Sequence, residues 1–372
     1  MNSLNRINRL QIILKERELD SFVIEDSINL FYFLNLNLSA GTLIITQTDA
    51  QLFVDGRYIE TCIKQAPIRV ELTSDQKIKK YLTEQSSDRV KSLGIDSNRI
   101  TYSDYLRWTK RTGEIGTETK HTITWVLIPT EGIIEFLRSS KDSIEIEYLK
   151  QAAELGAQGF DFICKNLKTG ISEKELATEL EIFWKRHQGE RLAFEPIIAF
   201  GKNSSMPHYR SGEKKLTEGD TVLIDIGVVL NQYHSDMTRV VFWGDPHPKI
   251  KEIYSIVKQA QQVALDLCKP GIKLGQLDEA ARQMIGEAGY KDFFNHSLGH
   301  GLGLEIHESP KVSQLSTDKD LELHSGMVIT IEPGIYLPDI GGVRIEDTIV
   351  VTDQSYEILT RRSKDLLILG NK

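Results

Sequence analysis

The chain has 372 residues, of which 40% are hydrophobic and 26% charged, and its formal net charge is −8. This composition is typical of a folded globular protein, and the length predicts two domains. The negative charge and the absence of a Lys/Arg block argue against a nucleic-acid partner, and no apolar run predicts a signal peptide or a membrane span. The three cysteines lie far apart without a CxxC spacing, which predicts buried thiols in a reducing compartment and a cytoplasmic protein.

Residues 1–135 alternate between helical and strand patterns, which predicts an α/β domain. The segments TLIIT and QLFVD flank a turn-like QTDA and predict a hairpin. Helices are expected at residues 4–17, 58–65 and 102–110. Strands are expected at residues 21–26, 42–46, 51–55, 68–72 and 121–127. This part of the chain holds no cluster of histidines, cysteines and carboxylates that predicts a site.

The pattern changes at LRSSKDS, residues 137–143, and we place the domain boundary there, giving domains 1–138 and 139–372. Ser143 is expected to cap a long amphipathic helix at 144–166, and SEKE at 172–175 is a capping box that opens a helix to residue 187. Two more helices are predicted at 250–268 and 277–288. Strands are predicted at 195–200 and within 219–241, 324–336 and 341–352.

Two segments of the second domain repeat each other. GDTVLID (219–225) matches GMVITIE (326–332), and SDMTRVV (235–241) matches IEDTIVV (345–351), so each repeat forms a hairpin with one carboxylate per strand. Taken singly, each acid is best explained as an exposed strand end or an ion-pair partner. As a set they predict a pseudo-twofold cage whose ionised carboxylates need about two divalent cations for balance. The four acids are Asp225, Asp236, Glu332 and Glu346.

The nine histidines divide into two groups. Three lie in or beside the Gly-rich segment 295–310 (His296, His300, His307), and His208 lies in a loop after a predicted strand, where functional residues are often found. His300 and His307 have opposite parity, so they share a site only if the glycine-rich segment or its end bends. The other five are expected to be surface or structural residues: His121, His187, His234, His247 and His324.

Five motifs in this order resemble the metallopeptidases of the pita-bread fold, family M24. They are DIG (225–227), YHSDMTR (233–239), HSLGHGLGLEIHESP (296–310), TIEPGIY (330–336) and GGVRIED (341–347). VDGRYIETC (54–62) and the linker LRSSK resemble the creatinase/prolidase N-terminal domain. The resemblance implies a pita-bread catalytic domain of α/β (α+β) class with a pseudo-twofold repeat, preceded by that α/β domain. Because methionine aminopeptidases generally lack the N-terminal domain, the proline-specific branch is favoured.

The resemblance also implies roles for individual residues. The metal ligands are Asp225, Asp236, His300, Glu332 and Glu346, and this oxygen-rich set suits two Mn²⁺ ions, with Co²⁺ or Fe²⁺ as alternatives. Glu332 would also accept the proton of the attacking water, while His208 and His307 would donate hydrogen bonds to the substrate and the tetrahedral intermediate. His296, Arg344 and Tyr336 would bind the substrate, and Arg344 would orient Glu346 or hold a substrate carboxylate.

The implied function is hydrolysis of the bond between an N-terminal residue and a following proline. We expect an Xaa-Pro aminopeptidase acting on peptides with proline at the second position. A proline dipeptidase acting on Xaa-Pro dipeptides is the alternative. A non-catalytic pita-bread binding module is a second alternative, although such modules lose ligands that this chain keeps. By analogy with the family we expect a homodimer or a higher homo-oligomer.

Overall fold

The chain divides into two units, Met1–Leu137 and Arg138–Lys372. The computed structural model describes residues 3–84, 90–113 and 124–370. His121 and the start of the strand expected at 121–127 lie outside the described residues. The domain limits given above, at residues 138 and 139, stay a prediction. In the described part of the chain, no helix combines the length and the apolar character needed to cross a membrane.

The first unit is built around a six-stranded mixed sheet with the order β4-β3-β2-β1-β5-β6. Its strands are β1 (Ser21–Ile24), β2 (Thr42–Thr46), β3 (Ala50–Val54), β4 (Arg69–Leu72), β5 (Val90–Asp96) and β6 (Thr124–Thr130). Its helices are α1 (Ser3–Glu16), α2 (Ser27–Leu34), α3 (Ile59–Gln65), α4 (Asp75–Glu84), α5 (Tyr102–Gly113) and α6 (Ile133–Ser139). β2 and β3 pair antiparallel, which confirms the predicted hairpin.

Apolar side chains from the sheet and from α4 and α5 form the core of this unit. Val23, Ile44 and Phe53 from the sheet pack with Leu82 and the fully buried Trp108. The sequence analysis did not predict α2, α4, β5 or α6. The segment of α2, SINLFYFL, is apolar on nearly every side, so its sequence carries no one-sided helical pattern.

Four helices frame the second unit: α7 (Ser143–Asn166), α8 (Glu173–Arg186), α9 (Pro248–Asp266) and α10 (Leu274–Glu287). All four lie close to the predicted ranges, and Ser172 caps α8 through the predicted capping box with Glu175. The prediction that Ser143 caps α7 was wrong. Asp142 occupies the cap because its carboxylate accepts bonds from the backbone N–H groups of Ile144 and Glu145.

The strands of the second unit form several small sheets, with main orders β20-β12-β9-β8 and β14-β13-β15-β18-β19. The first group is β7 (Arg191–Leu192), β8 (Ile197–Phe200), β9 (Asp220–Ile226), β10 (Val228–Leu230), β11 (Tyr233–His234) and β12 (Met237–Trp243). The second group is β13 (Gly299–Gly301), β14 (Glu308–Val312), β15 (Val328–Ile331), β16 (Gly334–Leu337), β17 (Gly341–Arg344), β18 (Asp347–Val351), β19 (Tyr356–Ile358) and β20 (Ile368–Leu369).

The two repeated segments form the two antiparallel pairs β9·β12 and β15·β18. Helices α7 and α8 pack on one face of β9·β12, where Ile224 and Val241 are buried, while α9 and α10 pack with Ile329 and Ile349 of β15·β18. The opposite face of β9·β12 is also buried, through Leu223. Burial on both faces explains why these strands are almost wholly apolar.

The two strand pairs are also joined by hydrogen bonds from Thr238 and Thr348, each of which lies two residues after the second carboxylate of its repeat. Thr238 Oγ1 donates to Glu346 Oε2 over 2.7 Å, and Thr348 Oγ1 donates to the backbone oxygen of Asp236 over 2.8 Å. Each bond runs from one repeat to the acidic residue of the other. This reciprocity is what a pseudo-twofold relation between the hairpins requires.

Candidate metal centre

The four repeated carboxylates lie where strands of the two hairpins begin or end. Asp225 is the penultimate residue of β9, Asp236 directly precedes β12, Glu332 directly follows β15 and Glu346 directly precedes β18. In an antiparallel pair the end of one strand lies beside the start of the other, so each hairpin brings its two acids to one end. All but Glu332 are buried, and Glu332 is half-buried. The strand register therefore places four acids at one location.

Three side chains at this location form a potential ligand set for a metal ion. Asp236, His300 and Glu346 each offer one ligand atom, and these atoms lie within 4.8 Å of one another. Nε2 of His300 lies 3.6 Å from Asp236 Oδ2 and 3.4 Å from Glu332 Oε1. The Nδ1 atom of His300 lies 3.0 Å from the backbone oxygen of Gly301, to which it donates, so Nε2 is left as the free electron-pair donor facing the acids.

Asp225 has two oxygens in different environments. Its Oδ2 accepts a hydrogen bond from Nη2 of Arg344 over 2.5 Å. Its Oδ1 is buried and has no hydrogen-bond partner among the described residues. A buried carboxylate oxygen without a partner costs free energy, and a cation at that atom would remove the cost. Arg344 therefore compensates part of the charge of Asp225, which the sequence analysis assigned to metal alone.

The electrostatics of the acids show the same need for a cation. Burial and the charge of Glu346 raise the pKa of Asp236 well above its usual range, and the same two causes raise that of Glu332. Burial and the charge of Asp225 raise the pKa of Glu346 to about 8. Carboxylates that repel one another in a buried site ionise fully only when a cation joins them. The residues present therefore fit an oxygen-liganded divalent metal.

Of the predicted substrate-facing histidines, His307 lies against the ring of His300, and His208 interacts electrostatically with His307. The ring centroids of His300 and His307 are 4.3 Å apart, so the segment between them bends as the parity argument required. The bend follows from the antiparallel pairing of β13 and β14, with a register shift between His300 and Gly301. His307 and His208 are exposed. The protein around the exposed His307 still removes part of the water from its ring, which lowers the pKa of His307, and the charge of His208 lowers that pKa further, so the two imidazoles are electrostatic neighbours.

Arg344, Tyr336 and His296 form a hydrogen-bonded chain at the edge of the site. Nη1 of Arg344 donates to the hydroxyl oxygen of Tyr336 over 2.7 Å. His296 donates from Nδ1 to the backbone oxygen of Ser297, so its Nε2 accepts the Tyr336 hydroxyl proton over 2.9 Å. Burial and the charge of Arg344 lower the pKa of His296 to about 3, which keeps this imidazole neutral. Burial raises the pKa of Tyr336 to about 12.

Arg344 was expected to orient Glu346 or to hold a substrate carboxylate, and it lies near Glu346 without a direct hydrogen bond to it. Its guanidinium binds Asp225 and Tyr336, and its Nε donates to Thr238 Oγ1 over 3.2 Å. Thr238 in turn donates to Glu346, so Arg344 reaches that ligand only through the threonine. The sequence does not show which neighbour the long side chain of Arg344 reaches, because that depends on strands distant in the chain.

The sequence analysis missed the threonines that orient the acids. Besides Thr238 and Thr348, Thr330 Oγ1 accepts from the backbone N–H of His300 over 3.1 Å and lies 3.4 Å from Glu332 Oε1. The repeat itself carried the signal for two of them, since each hairpin has a threonine two residues after its second carboxylate. Of the five histidines set aside, His187, His247 and His324 are exposed, and His234 is buried against the backbone of Gly303.

Comparison with known proteins agrees with this geometry. The model of metallopeptidase family M24 matches residues 147–353, and that of the creatinase/prolidase N-terminal domain matches residues 6–139. An Xaa-Pro dipeptidase from Pyrococcus horikoshii is 36% identical over 97% of this chain and 98% of its own.

Solved structures are similar over nearly the whole chain. An Xaa-Pro dipeptidase from Bacillus anthracis matches with a TM-score of 0.90 and 36% identity, covering 99% of this chain and 100% of that one. An X-Pro aminopeptidase from Thermotoga maritima matches with a TM-score of 0.84 and 32% identity, covering 95% and 99%. These matches confirm the predicted fold. Together with the acid-bearing hairpins and His300, they establish that the chain belongs to metallopeptidase family M24 and that a creatinase/prolidase N-terminal domain precedes its metallopeptidase domain in the sequence.

Proposed function

We propose that this metallopeptidase is an Xaa-Pro dipeptidase, which hydrolyses dipeptides with proline at the second position. The observation that carries the proposal is the convergence of Asp236, His300 and Glu346 within 4.8 Å, with Asp225 and Glu332 beside them. The dipeptidase names of relatives 36% identical over almost the full chain support this substrate class. The aminopeptidase P activity that we favoured from sequence becomes the alternative.

The proposed metal site holds two divalent cations, most suitably Mn²⁺, between the four acids and His300. An oxygen-rich set with one imidazole fits Mn²⁺, Co²⁺ or Fe²⁺ and not a thiolate-preferring ion. Such cations supply Lewis-acid chemistry, because they acidify a water molecule toward a pKa of ~7 and polarise the peptide carbonyl. Asp236, His300 and Glu346, whose potential ligand atoms lie within 4.8 Å of one another, would hold the cations together with Asp225 and Glu332.

The chain's own residues would then handle protons and orientation. Glu332 lies 3.4 Å from His300 and is proposed to accept the proton of the attacking water. His307, whose ring lies against that of His300, and His208 are exposed, and both are proposed to donate hydrogen bonds to the substrate and to the developing oxyanion. Arg344 fixes Asp225 with one nitrogen and Tyr336 with another, which leaves it little capacity to bind a substrate carboxylate.

A proline at the second position has a physical rationale at such a site. The Xaa-Pro bond is a tertiary amide with no N–H and a φ angle fixed by the ring. A pocket shaped for that ring needs no acceptor for a peptide hydrogen and can exclude other residues by shape. His296 and Tyr336, which are joined by a hydrogen bond of 2.9 Å, are proposed to line this pocket.

The substrate test compares three peptides with protein stripped of metal and reloaded with Mn²⁺. We expect Ala-Pro to be cleaved at least about tenfold faster than Ala-Pro-Pro at equal concentration, and Met-Ala-Ala to be left intact. Faster cleavage of Ala-Pro-Pro would restore the aminopeptidase P assignment. Release of methionine without Xaa-Pro cleavage would exclude both proline-specific activities.

Assembly and location complete the proposal. We propose a homodimer or a higher homo-oligomer, as the family analogy implies, in the cytoplasm. Light scattering coupled to size-exclusion chromatography checks the assembly, because a monomer would give the mass of one 42.2 kDa chain.

A further inference from the structure

Glu173 is a fully buried carboxylate outside the metal centre. It is the first residue of α8, directly after the capping residue Ser172, and its exposure is 0%. No Lys or Arg in the described ranges forms an ion pair with it. The amino end of a helix favours a negative charge, but burial of an ionised carboxylate also requires hydrogen-bond donors around both oxygens.

All four donors to this carboxylate come from one loop, residues 200–212, which we call the His208 loop. Oε1 accepts from the backbone N–H of Phe200 over 2.7 Å and from Nδ2 of Asn203 over 2.9 Å. Oε2 accepts from the hydroxyl of Tyr209 over 2.7 Å and from the backbone N–H of Gly212 over 3.0 Å. The carboxylate therefore ties the start and the end of the loop to one point.

His208 lies between these anchors, directly before Tyr209, and is itself exposed. The loop has further attachments, among them Ser211 Oγ, which accepts from the backbone N–H of Ile198 over 2.8 Å and donates to the backbone oxygen of Pro196 over 2.8 Å. Nearer the metal centre, the backbone N–H of Gly342 in β17 donates to Ser204 Oγ over 2.8 Å. β17 ends in Arg344, which binds Asp225. The loop is thus held between α8 and a strand of the metal centre, and its conformation decides where His208 stands.

We propose that Glu173 is a positioning residue, whose buried carboxylate sets the place of His208 opposite His307 by fixing both ends of the His208 loop. The inference rests on the proposed function of His208 as a substrate donor. Misplacement of a catalytic group by about 1 Å can cost about 100-fold in rate. Loss of the loop anchor is therefore expected to act on turnover through His208.

The test replaces Glu173 by Gln, which keeps the size of the side chain but turns one acceptor oxygen into a donor. Either the pair Phe200 and Asn203 or the pair Tyr209 and Gly212 then faces an NH₂ group. The matched control is Glu175→Gln on the same helix turn. Glu175 Oε2 accepts from the backbone N–H of Ser172 over 2.8 Å, and the side chain is exposed and forms no hydrogen bond or ion pair with the described residues 200–212. Both variants weaken the amino end of α8, but only Glu173→Gln removes an anchor of the loop.

The first readout does not depend on activity. In ¹³C-histidine-labelled protein, the His208 ring resonance, assigned by its loss in His208→Ala, should move in Glu173→Gln and keep its place in Glu175→Gln. An unmoved resonance in Glu173→Gln would overturn the inference. This result stands even if the wild-type protein cleaves no Xaa-Pro peptide, an outcome that would reject the proposed function instead.

The second readout is kinetic. On Ala-Pro, Glu173→Gln should lower kcat/KM by about 10-fold to 100-fold, and Glu175→Gln by less than about 2-fold. Tyr209→Phe removes one donor and should give a smaller loss of the same kind. In a His208→Ala background the Glu173→Gln change should have almost no further effect, because residues acting through one another are not additive. Losses that multiply would show a general structural role and contradict the inference.

Discussion

A buried carboxylate needs compensation at both of its oxygens, and Asp225 has it at only one. Arg344 binds Oδ2, whereas Oδ1 has no hydrogen-bond partner in the described part of the chain. Among the residues that the structure describes, no Lys or Arg forms an ion pair with Asp236, Glu332 or Glu346, and burial together with the neighbouring carboxylates raises the pKa of each of these acids. The protein thus supplies part of the charge balance and leaves the remainder to metal.

Replacement of Asp236 by Asn tests the central acid directly. The amide has one oxygen and no charge, so we expect loss of at least one metal ion per chain and a fall of kcat/KM by more than about 100-fold, with the fold retained. Metal content by mass spectrometry, activity and circular dichroism measure these effects. The exposed Asp245→Asn is the matched control and should change none of them. A fully active Asp236→Asn protein would reject the central role.

The metal-free protein should lose stability as pH rises from about 7.5 to 8.5. Folding holds the pKa of Glu346 at about 8, whereas a Glu carboxyl in the unfolded chain titrates near ~4.3. In this window the folded state binds more protons than the unfolded state, so the free energy of unfolding falls with pH. Histidines with lowered pKa values, such as His296, are neutral in both states there and do not contribute.

The Tm of metal-free protein, measured from pH 7.5 to 8.5, where free imidazoles are almost fully neutral, checks this sign. Glu346→Gln should flatten the fall, and added Mn²⁺ should reverse it because binding releases protons from the acids. A wild-type Tm that rises with pH without metal would contradict the assigned repulsion.

At the scale of elements, the hydrogen bonds at the start of α7 show which of two neighbouring residues, Asp142 or Ser143, caps the helix. Asp142 accepts from two backbone N–H groups, and Glu145 Oε2 accepts from the Asp142 N–H over 2.9 Å. Asp142→Ala should therefore cost about 1 kcal/mol of unfolding free energy, and Ser143→Ala less than about 0.5 kcal/mol. Urea unfolding followed by circular dichroism measures both. A larger cost for Ser143→Ala would contradict the assignment.

A buried ion cluster fixes the segment that carries His300 and His307. Glu308 accepts from Arg138 over 2.5 Å and from Lys141 over 2.8 Å, and these cations lower its pKa to about 2 despite burial. A Cβ atom on Gly303 would lie 2.4 Å from Glu308 Oε1. A glycine is therefore required at position 303, because the Glu308 carboxylate lies close to it and is held in place by Arg138 and Lys141.

Gly303→Ala should destabilise the protein by about 1–3 kcal/mol through overpacking. The matched control is Gly286→Ala in α10, where the added Cβ meets nothing nearer than 3.9 Å and helix propensity favours Ala. That change should be neutral or stabilising by up to about 1 kcal/mol. Urea unfolding compares the two. Equal effects of both changes would contradict the close-packing argument.

At the scale of the whole molecule, the sequence predicted features that follow from residues close together in the chain. It did not predict features that depend on contacts between distant segments. The acid-bearing hairpins were predictable because the alternation of residue types repeats within the chain, as Asp236-x-Thr238 and Glu346-x-Thr348 show. The partner of Arg344 was not predictable, because it depends on how two distant strands face each other. The same holds for Glu173, whose four donors lie 27–39 residues away in the chain.

The length of the substrate peptide also could not be predicted from the sequence alone. The four acids were singled out by the repeat within the chain, and the resemblance to the family added His300 as the fifth proposed ligand. The boundary of the proposed proline pocket depends instead on residues such as His296 and Tyr336, which are 40 positions apart in the chain and form a hydrogen bond. The dipeptidase assignment consequently depends on relatives and on the peptide assay, and the metal centre on the geometry itself.

The most direct measurement is diffraction from crystals grown with Mn²⁺, collected on both sides of the manganese absorption edge. The account predicts two anomalous peaks, roughly 3.5–4 Å apart as in two-metal sites, enclosed by Asp225, Asp236, His300, Glu332 and Glu346. An absence of anomalous density among these five side chains, at saturating Mn²⁺, would contradict it.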